Sequence, residues 1–249
     1  MEVSLYQAAA AMNATERWQE LIADNLGSAS TPGARKREIS FSAVEAGMAA
    51  QTSGTAGPNY VIPTATSTTD FTQGELHPTG DAMDVALEGP GLFTLQTADG
   101  QTTYTRNGEF QLNLQGQLVT TRGEVVQGDN GPIQLKPGIS DPISIAANGE
   151  VTQGDVKKGK LLITGFNTPS LLTSLGGGMF RADDPDLQST ASTDTNVRQG
   201  FTENANSSPT TEMAGLITAM RMFESNQKVL QMQSDRMSRE ISDLGNPAT

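Results

Sequence analysis

The stretch that decides the fold is residues 213–244, which reads MAGLITAMRMFESNQKVLQMQSDRMSREISDL. Starting at its first residue, steps of three and four residues alternate without a break, and eight of the ten positions reached are apolar. The two polar members are Gln227 and Ser234. A repeat sustained over four heptads predicts a long helix whose apolar stripe packs against another helix.

The ends of this helix are marked, and a second helix is predicted at the other end of the chain. Ser208 is a suitable N-cap with Pro209 at the first helical position, and Gly245 stops the pattern. Near the N-terminus, apolar residues recur at three- and four-residue spacing over 5–26, and the Gly- and Pro-containing run 27–33 ends that helix. Both ends of the chain are therefore expected to be helical.

The middle of the chain has the pattern of antiparallel β structure. Residues 92–97 and 102–105 flank Asp99-Gly100, a dipeptide that tolerates the positive φ of a tight hairpin turn. Alternating runs predict further strands at 110–114, 118–120, 125–126, 143–145 and 161–163. The predicted fold class is α+β, with the N- and C-terminal helices pairing as a coiled coil around a central antiparallel β domain.

Composition disfavours most enzyme classes. The 249 residues contain no Cys and one His, carry a formal net charge of -12, and are only 5% aromatic. Thiolate metal sites, cysteine nucleophiles and histidine metal clusters are therefore excluded. The acid excess also argues against binding to a nucleic-acid backbone. We expect no catalytic residue, no cofactor and no metal.

Three smaller signals have ordinary structural interpretations. His77 is expected in a loop with no site role, and Lys157–Lys160 is expected to be an exposed turn. The acidic run 183–186 lacks the spacing of an EF-hand, so a solvated loop is favoured over a calcium site. No segment has the ~20 apolar residues of a membrane helix, and the first residues do not resemble a cleavable signal peptide.

Three stretches, in this order, resemble the axial (rod and hook) proteins of the bacterial flagellum. Residues 22–33, IADNLGSASTPG, are similar to the family signature ANNLANxxTxGF. The second stretch is DVALEGPGLF at 84–93 with YTRNGEF at 104–110, and the third lies within 212–229. The sequence departs from the signature at Asp24, Ser28 and Ala34, which affects the docking of that turn and not the family resemblance.

The resemblance implies a structural function. The length of 249 residues is that of a rod protein, and the stretch 131–151 is most similar to proximal-rod members, with distal-rod members next. It implies a structural subunit of the basal-body rod, exported by the flagellar type III apparatus without a cleaved signal peptide into the periplasm-spanning rod. The expected partners are copies of itself and other rod subunits, with no nucleic acid and no membrane insertion.

The residues expected to pack helices or subunits lie on the two terminal stripes. They are Leu5, Met12, Ile22, Leu26, Met213, Leu216, Met220, Phe223, Leu230, Met237, Ile241 and Leu244. From the pattern alone, the C-terminal stripe pairs either with other subunits or with the N-terminal helix of the same chain. The expected domains are 1–34 with 209–249 (helical), 35–80 (an extended connector) and 81–208 (mostly β).

A second function remains open from the residues themselves. A secreted β-rich adhesin or glycan-binding module with a coiled-coil stalk would also combine these elements. Such a module needs an exposed aromatic platform, and Trp18, the one Trp, lies in the predicted N-terminal helix.

Overall fold

The computed structural model describes residues 2–46, 60–136, 141–192 and 194–245. The chain divides into two units. Unit 1 comprises Met1–Asn25, Arg37–Thr68 and Pro209–Thr249, and unit 2 comprises Leu26–Lys36 and Thr69–Ser208. Each unit is therefore assembled from segments that are distant in sequence.

Unit 1 contains both long helices and a two-stranded sheet. Helix α1 is Glu2–Ser28 and helix α2 is Pro209–Gly245, while strands β1 (Arg37–Ala46) and β2 (Tyr60–Thr69) pair with each other. Both predicted helices are confirmed, and α2 begins at the proline that favours a first helical position.

The side chain of Asn25 ties the end of α1 to the start of β1. Its Nδ2 donates to the carbonyl oxygen of Arg37 at 2.9 Å, and its Oδ1 accepts the Arg37 backbone N–H at 2.9 Å. The neighbouring Asp24 carboxylate lies 3.4 Å from the Arg37 guanidinium. An amide side chain is the group that offers both a donor and an acceptor here, which explains the Asn in the 22–33 stretch.

Unit 2 is almost entirely β structure with short strands. Its strands are β3 (Leu76–Pro78), β4 (Val85–Glu88), β5 (Leu92–Gln96), β6 (Thr102–Thr105), β7 (Phe110–Leu112), β8 (Leu118–Thr120), β9 (Val125–Gly128), β10 (Gly131–Pro132), β11 (Ile143–Ile145), β12 (Glu150–Gln153), β13 (Val156–Lys160), β14 (Ile163–Phe166), β15 (Thr173–Gly176), β16 (Met179–Arg181), β17 (Ser189–Ala191), β18 (Asn196–Gln199) and β19 (Phe201–Glu203). One 3₁₀ turn, Pro169–Leu171, lies among them.

The largest sheet is antiparallel and is organised around β5. Its main path runs β15-β16-β6-β5-β9-β8-β7; in addition, β10 pairs with β9, and β14 pairs with β5 and β17. Phe93 pairs with Thr105 in the β5–β6 hairpin, so the predicted turn at Asp99-Gly100 is confirmed. Smaller sheets are β11-β12-β13, β18-β4 and β19-β3.

The core of unit 2 is aliphatic with two central phenylalanines. Phe93 and Phe110 meet edge to face, with ring centroids 5.1 Å apart. The buried members of this core are Val85, Leu87, Phe93, Leu95, Phe110, Leu118, Val126, Ile133, Leu135, Ile145, Val151, Leu161, Ile163 and Val197. A smaller buried cluster contains Leu92, Leu172 and Phe180.

Two glycines allow backbone segments of unit 2 to approach closely. Gly33 has φ +69°, and a Cβ there would lie 2.3 Å from the backbone nitrogen of Asn107. A Cβ at Gly108 would lie 1.6 Å from the carbonyl oxygen of Val85. The turn at the end of the 22–33 stretch therefore docks on the backbone of the 104–110 stretch, with Ala34 buried beside it.

Three local predictions were wrong. His77 lies in β3 and not in a loop, because it pairs with Thr202 in β19. Lys157–Lys160 lies in β13, whose partner β12 makes it a strand and not a turn. The strand predicted at 161–163 starts only at its last residue, Ile163.

Replacing Phe93, which is fully buried, tests the position of the core. Phe93→Ala removes a ring from contact with Phe110 and should lower the free energy of unfolding of unit 2 by about 3–5 kcal/mol. Leu114→Ala is the control, because Leu114 is 96% exposed and its loss should change stability by no more than about 0.5 kcal/mol. Urea unfolding followed by far-UV circular dichroism measures both, and equal effects would contradict this core assignment.

Replacing Asn25 tests the link between α1 and β1. Asn25→Ala loses the two hydrogen bonds to the Arg37 backbone and a third to Glu212 Oε2, so stability should fall by about 2–3 kcal/mol. Asn13→Ala on an exposed position of the same helix should be neutral or slightly stabilising. Thermal unfolding at 222 nm distinguishes the two variants, and an unchanged midpoint for Asn25→Ala would refute the link.

Candidate functional site: the paired terminal helices

One face of α1 is covered, and half of the residues named below are Ala or Thr. The buried or half-buried positions step by three and four along the helix, as expected for one helical face. They are Ala8, Ala11, Thr15, Trp18, Ile22 and Asn25, with Ala14 and Leu21 beside them. Small side chains on this face allow another helix to approach closely.

The covered face of α2 is displaced from the stripe predicted by sequence. Its buried or half-buried positions also step by four and three. Every second one lies one residue before the predicted position, for example Glu212 in place of Met213 and Ala219 in place of Met220. They are Glu212, Leu216, Ala219, Phe223, Asn226, Leu230, Gln233, Met237 and Glu240. Large apolar residues thus alternate with small or polar ones on this face.

Three contacts show that α1 and α2 pack together in opposite directions. Asn25 Nδ2 donates to Glu212 Oε2 at 3.3 Å, and Asn226 Nδ2 donates to Thr15 Oγ1 at 3.2 Å. Between them, a Cβ at Gly215 would lie 3.5 Å from Ile22 Cδ1, an ordinary van der Waals contact. As the residue number falls along α1 it rises along α2, so the two helices are antiparallel.

The displacement has a physical cause in the approach of the two helices. Ala219 is fully buried, and Gly215 lies against Ile22. At such close approach a methionine does not fit, so the small residues turn inward and their larger neighbours turn outward. Sequence analysis missed Glu212, Ala219 and Asn226 because it ranked positions by apolar character alone.

The predicted packing residues are distributed over the covered and open faces of this helix pair. Ile22 is buried, while Met213, Met220 and Ile241 are exposed in the single chain. The half-buried ones are Met12, Leu26, Leu216, Phe223, Leu230 and Met237. The side chains of Leu5 and Leu244 lie outside those that the structure describes.

Outside the face that covers α1, helix α2 carries exposed large apolar side chains in two strips. Met213, Ile217 and Met220, spaced by four and three residues, are 56%, 54% and 53% exposed and form the first strip. Met222 and Val229, seven residues apart, form the second and are 48% and 37% exposed. Helical geometry at 100° per residue places the two strips on different sides of α2, and both differ from the face that covers α1.

Across residues 2–46, 60–136, 141–192 and 194–245, no group of three or more Asp, Glu or His side chains is placed to hold a metal ion. Neither α1 nor α2, as far as each is described, has the length and apolar character needed to cross a membrane. The arrangement of unit 1 is that of a packing surface.

Two family models match the chain. Residues 86–153, in unit 2, match the flagellar hook protein FlgE/F/G D1 domain. Residues 198–244, which include most of α2, match the flagellar basal body rod FlgEFG protein C-terminal model.

Full-length relatives agree with these models. The flagellar basal-body rod protein FlgF of Escherichia coli is 31% identical, with the alignment covering 96% of this chain and 97% of that protein. FlgF of Mesorhizobium japonicum is 30% identical over 98% of this chain and 99% of its own length. FlgG of Buchnera aphidicola subsp. Baizongia pistaciae is 27% identical over 97% and 99% of the two chains. The chain belongs to the FlgE/F/G family of flagellar rod and hook proteins.

Proposed function

We propose that this chain is a structural subunit of the bacterial flagellar basal-body rod, of the proximal, FlgF-like type, that polymerises through its terminal helices and transmits torque. Relatives named as rod proteins match it over nearly their whole length, which supports the rod assignment. A rod subunit works by rigid packing, so the chain is a structural protein and not an enzyme.

The observation that carries this proposal is the exposed apolar surface of α2. Full burial of one Met or Ile side chain is worth about 1.5–3 kcal/mol, so the strip Met213, Ile217 and Met220 forgoes several kcal/mol while it faces water. Contiguous exposed apolar surface marks a protein contact. Because the two strips lie on different sides of α2, each subunit has two distinct contact surfaces. Contacts between unlike surfaces produce an open helical filament when they do not close into a ring.

The terminal helices supply the assembly residues in this proposal. Within one subunit they pair as an antiparallel coiled coil, supported by the alternating three- and four-residue spacing of covered positions on both helices. Between subunits, the exposed members Met213, Met220 and Ile241 make the contacts. The half-buried and buried members of the predicted set stabilise the pair itself, and for Leu5 and Leu244 a packing role stays a prediction.

The remaining assignments follow from the same proposal. The functional division is a helical assembly domain (1–34 with 209–249), a connector (35–80) and a β domain (81–208), and this division stays a prediction. The subunit reaches the periplasm-spanning rod through the flagellar type III export apparatus. Its partners are further copies and neighbouring rod subunits, without nucleic acid and without membrane insertion.

The adhesin alternative has no support from the comparisons. Trp18 is half-buried and meets Phe41 edge to face at 5.9 Å, which is not the flat exposed platform that a sugar ring stacks on. We therefore do not retain a glycan-binding function.

Substituting the first exposed strip tests assembly through α2. The triple variant M213Q/I217Q/M220Q replaces apolar side chains that are more than half exposed, so the purified chain should keep its helical content. Its amount in isolated basal bodies should fall about tenfold or more, since each 1.4 kcal/mol of contact energy is worth a factor of ten. Quantitative mass spectrometry of purified basal bodies measures this amount.

The matched control uses another exposed strip of the same helix. Thr218, Arg221 and Ser225 are exposed and polar and are spaced by three and four residues, so T218Q/R221Q/S225Q should enter basal bodies at the wild-type amount. Equal incorporation of both triple variants would show that α2 does not assemble through the Met213 strip.

Deletion of the gene tests the position in the rod. A proximal subunit must be in place before a distal one can attach, so basal bodies from the deletion strain should lack the FlgG-type distal subunit. If the distal subunit is still present at wild-type amounts, the proximal assignment is wrong. Electron microscopy of the residual rods gives an independent length measurement.

A further inference from the structure

Unit 2 buries three charged side chains in one cluster. Arg35 Nη2 donates to Glu203 Oε1 at 2.6 Å, and both side chains have no exposed surface. Arg106 Nε lies 3.8 Å from Glu203 Oε2 with its side chain 4% exposed. Two guanidinium groups therefore share one carboxylate, and 168 residues separate Arg35 from Glu203.

Glu203 also accepts hydrogen bonds from two backbone segments. Its carbonyl oxygen accepts the Gly33 N–H at 2.6 Å, and its Oε1 accepts the Gly74 N–H at 2.8 Å. The same residue thus contacts the segment that follows α1 and the segment that follows β2.

Asn206 repeats this arrangement three residues later. Its Oδ1 accepts the Lys36 N–H at 2.6 Å, and its Nδ2 donates to the carbonyl oxygens of Asp70 at 2.9 Å and Thr72 at 3.1 Å. The backbone adds a bond from Asp70 N–H to the Lys36 carbonyl at 2.8 Å. Together, Glu203 and Asn206 join the segments 33–36, 70–74 and 203–206, and we name this set the Glu203 clasp.

Arg106 joins the clasp to the β framework. Its guanidinium donates to the carbonyl oxygens of Leu87 at 3.4 Å and of Gly89. Burial lowers the pKa of Arg106 to about 10, Glu203 opposes this shift, and Arg35 adds to it. The pKa stays well above neutral pH, so Arg106 remains charged and Glu203 faces two cations.

The clasp lies where the chain leaves unit 2. The chain passes between the two units after Asn25, Lys36, Thr68 and Ser208. Each of the three joined segments comes within two residues of one of the last three passages. Force that travels along the covalent chain through β1, β2 or α2 therefore reaches unit 2 close to these segments.

We propose that Glu203 is a positioning residue that fixes these three chain passages to the β framework, so that torque applied to the terminal helices does not open them. This inference rests on the proposed rod function. All the hydrogen bonds and ion pairs of the clasp join residues of the same chain. Their role in this proposal is to carry mechanical force.

Stability alone does not account for the cluster. Among the described residues, Arg35 Nε, Arg35 Nη1 and Glu203 Oε2 have no hydrogen-bond partner. A buried ion pair with unpaired polar atoms is often no more stable than an apolar core of the same volume. What charged, directional contacts add is a single defined arrangement of the segments that they join.

Hydrogen–deuterium exchange on the full-length chain tests the clasp directly. Glu203→Gln removes the charge that faces Arg35 and Arg106, and we expect the amides of Gly33 and Gly74 to exchange at least about tenfold faster. Amides of the central strand β5 should keep their wild-type protection. The control is Glu88→Gln, which breaks an exposed ion pair with Arg198 (2.8 Å) and should leave Gly33 and Gly74 unchanged.

Asn206→Ala provides a second, uncharged variant. It should accelerate exchange at Lys36 and leave β5 protected, whether or not Glu203→Gln folds normally. Unchanged protection in this variant, or an equal loss over the whole of unit 2, overturns the clasp.

Measuring flagellar rotation under load distinguishes a failure of the mechanical role of Glu203 from a failure of the proposed rod function. With Glu203→Gln, basal bodies should contain wild-type amounts of the chain, but rotation of a tethered cell or bead should fail at high viscous load. Sustained rotation at every load, as with Glu88→Gln, overturns the mechanical role of Glu203. If the wild-type chain is itself absent from purified basal bodies, the rod function fails, while the exchange experiment still decides whether the clasp exists.

Discussion

The packing of α1 against α2 sets the requirement that the rest of the chain must meet. Thr15 and Asn226 are 211 residues apart in sequence yet form a hydrogen bond of 3.2 Å. Closing so long a loop has an entropic cost that grows slowly with its length and that must be offset by the contacts it brings together. The pairing of the two helices also requires the first and last segments of unit 2 to lie close together. Unit 2 meets this requirement through the bond from Gly33 N–H to the Glu203 carbonyl oxygen and through the side chains of Glu203 and Asn206.

The covered and open faces of α2 differ in the side chains that they carry. Toward α1, the helix presents Ala219, Gly215 and Asn226 among its larger residues, which permits close approach and specific hydrogen bonds. Toward water, it presents Met213, Ile217 and Met220. In a protein that stayed a monomer, we would expect the opposite arrangement, because apolar surface is more valuable inside. The arrangement is consistent with a member of the flagellar rod family that assembles with other subunits.

Sequence patterns predicted the elements better than their partners. The β5–β6 hairpin was predictable because Asp99-Gly100 has a conformational preference that acts over two residues. The seam of α2 was only half predictable. Leu216, Phe223, Leu230 and Met237 are half-buried as expected, but their alternates shift to Ala219 and Asn226. Apolar spacing indicates that a helix has a packing face, whereas the distance to the neighbouring helix selects which side chains fit on it. No sequence pattern predicted the Glu203 clasp, because the sequence does not distinguish a buried Glu or Arg from an exposed one.

By itself, the sequence determined the two helices and their limits, the β character of the middle, the absence of cysteine chemistry and the family resemblance. All of these depend on local preferences or on short motifs, which act between residues close in the chain. The tertiary structure alone decided that α1 and α2 pair within one chain, that Met213, Ile217 and Met220 remain in water, and that Glu203 meets Arg35 and Arg106. These outcomes depend on the fit of segments that are distant in the sequence, and steric fit and burial arise only when the segments have been brought together.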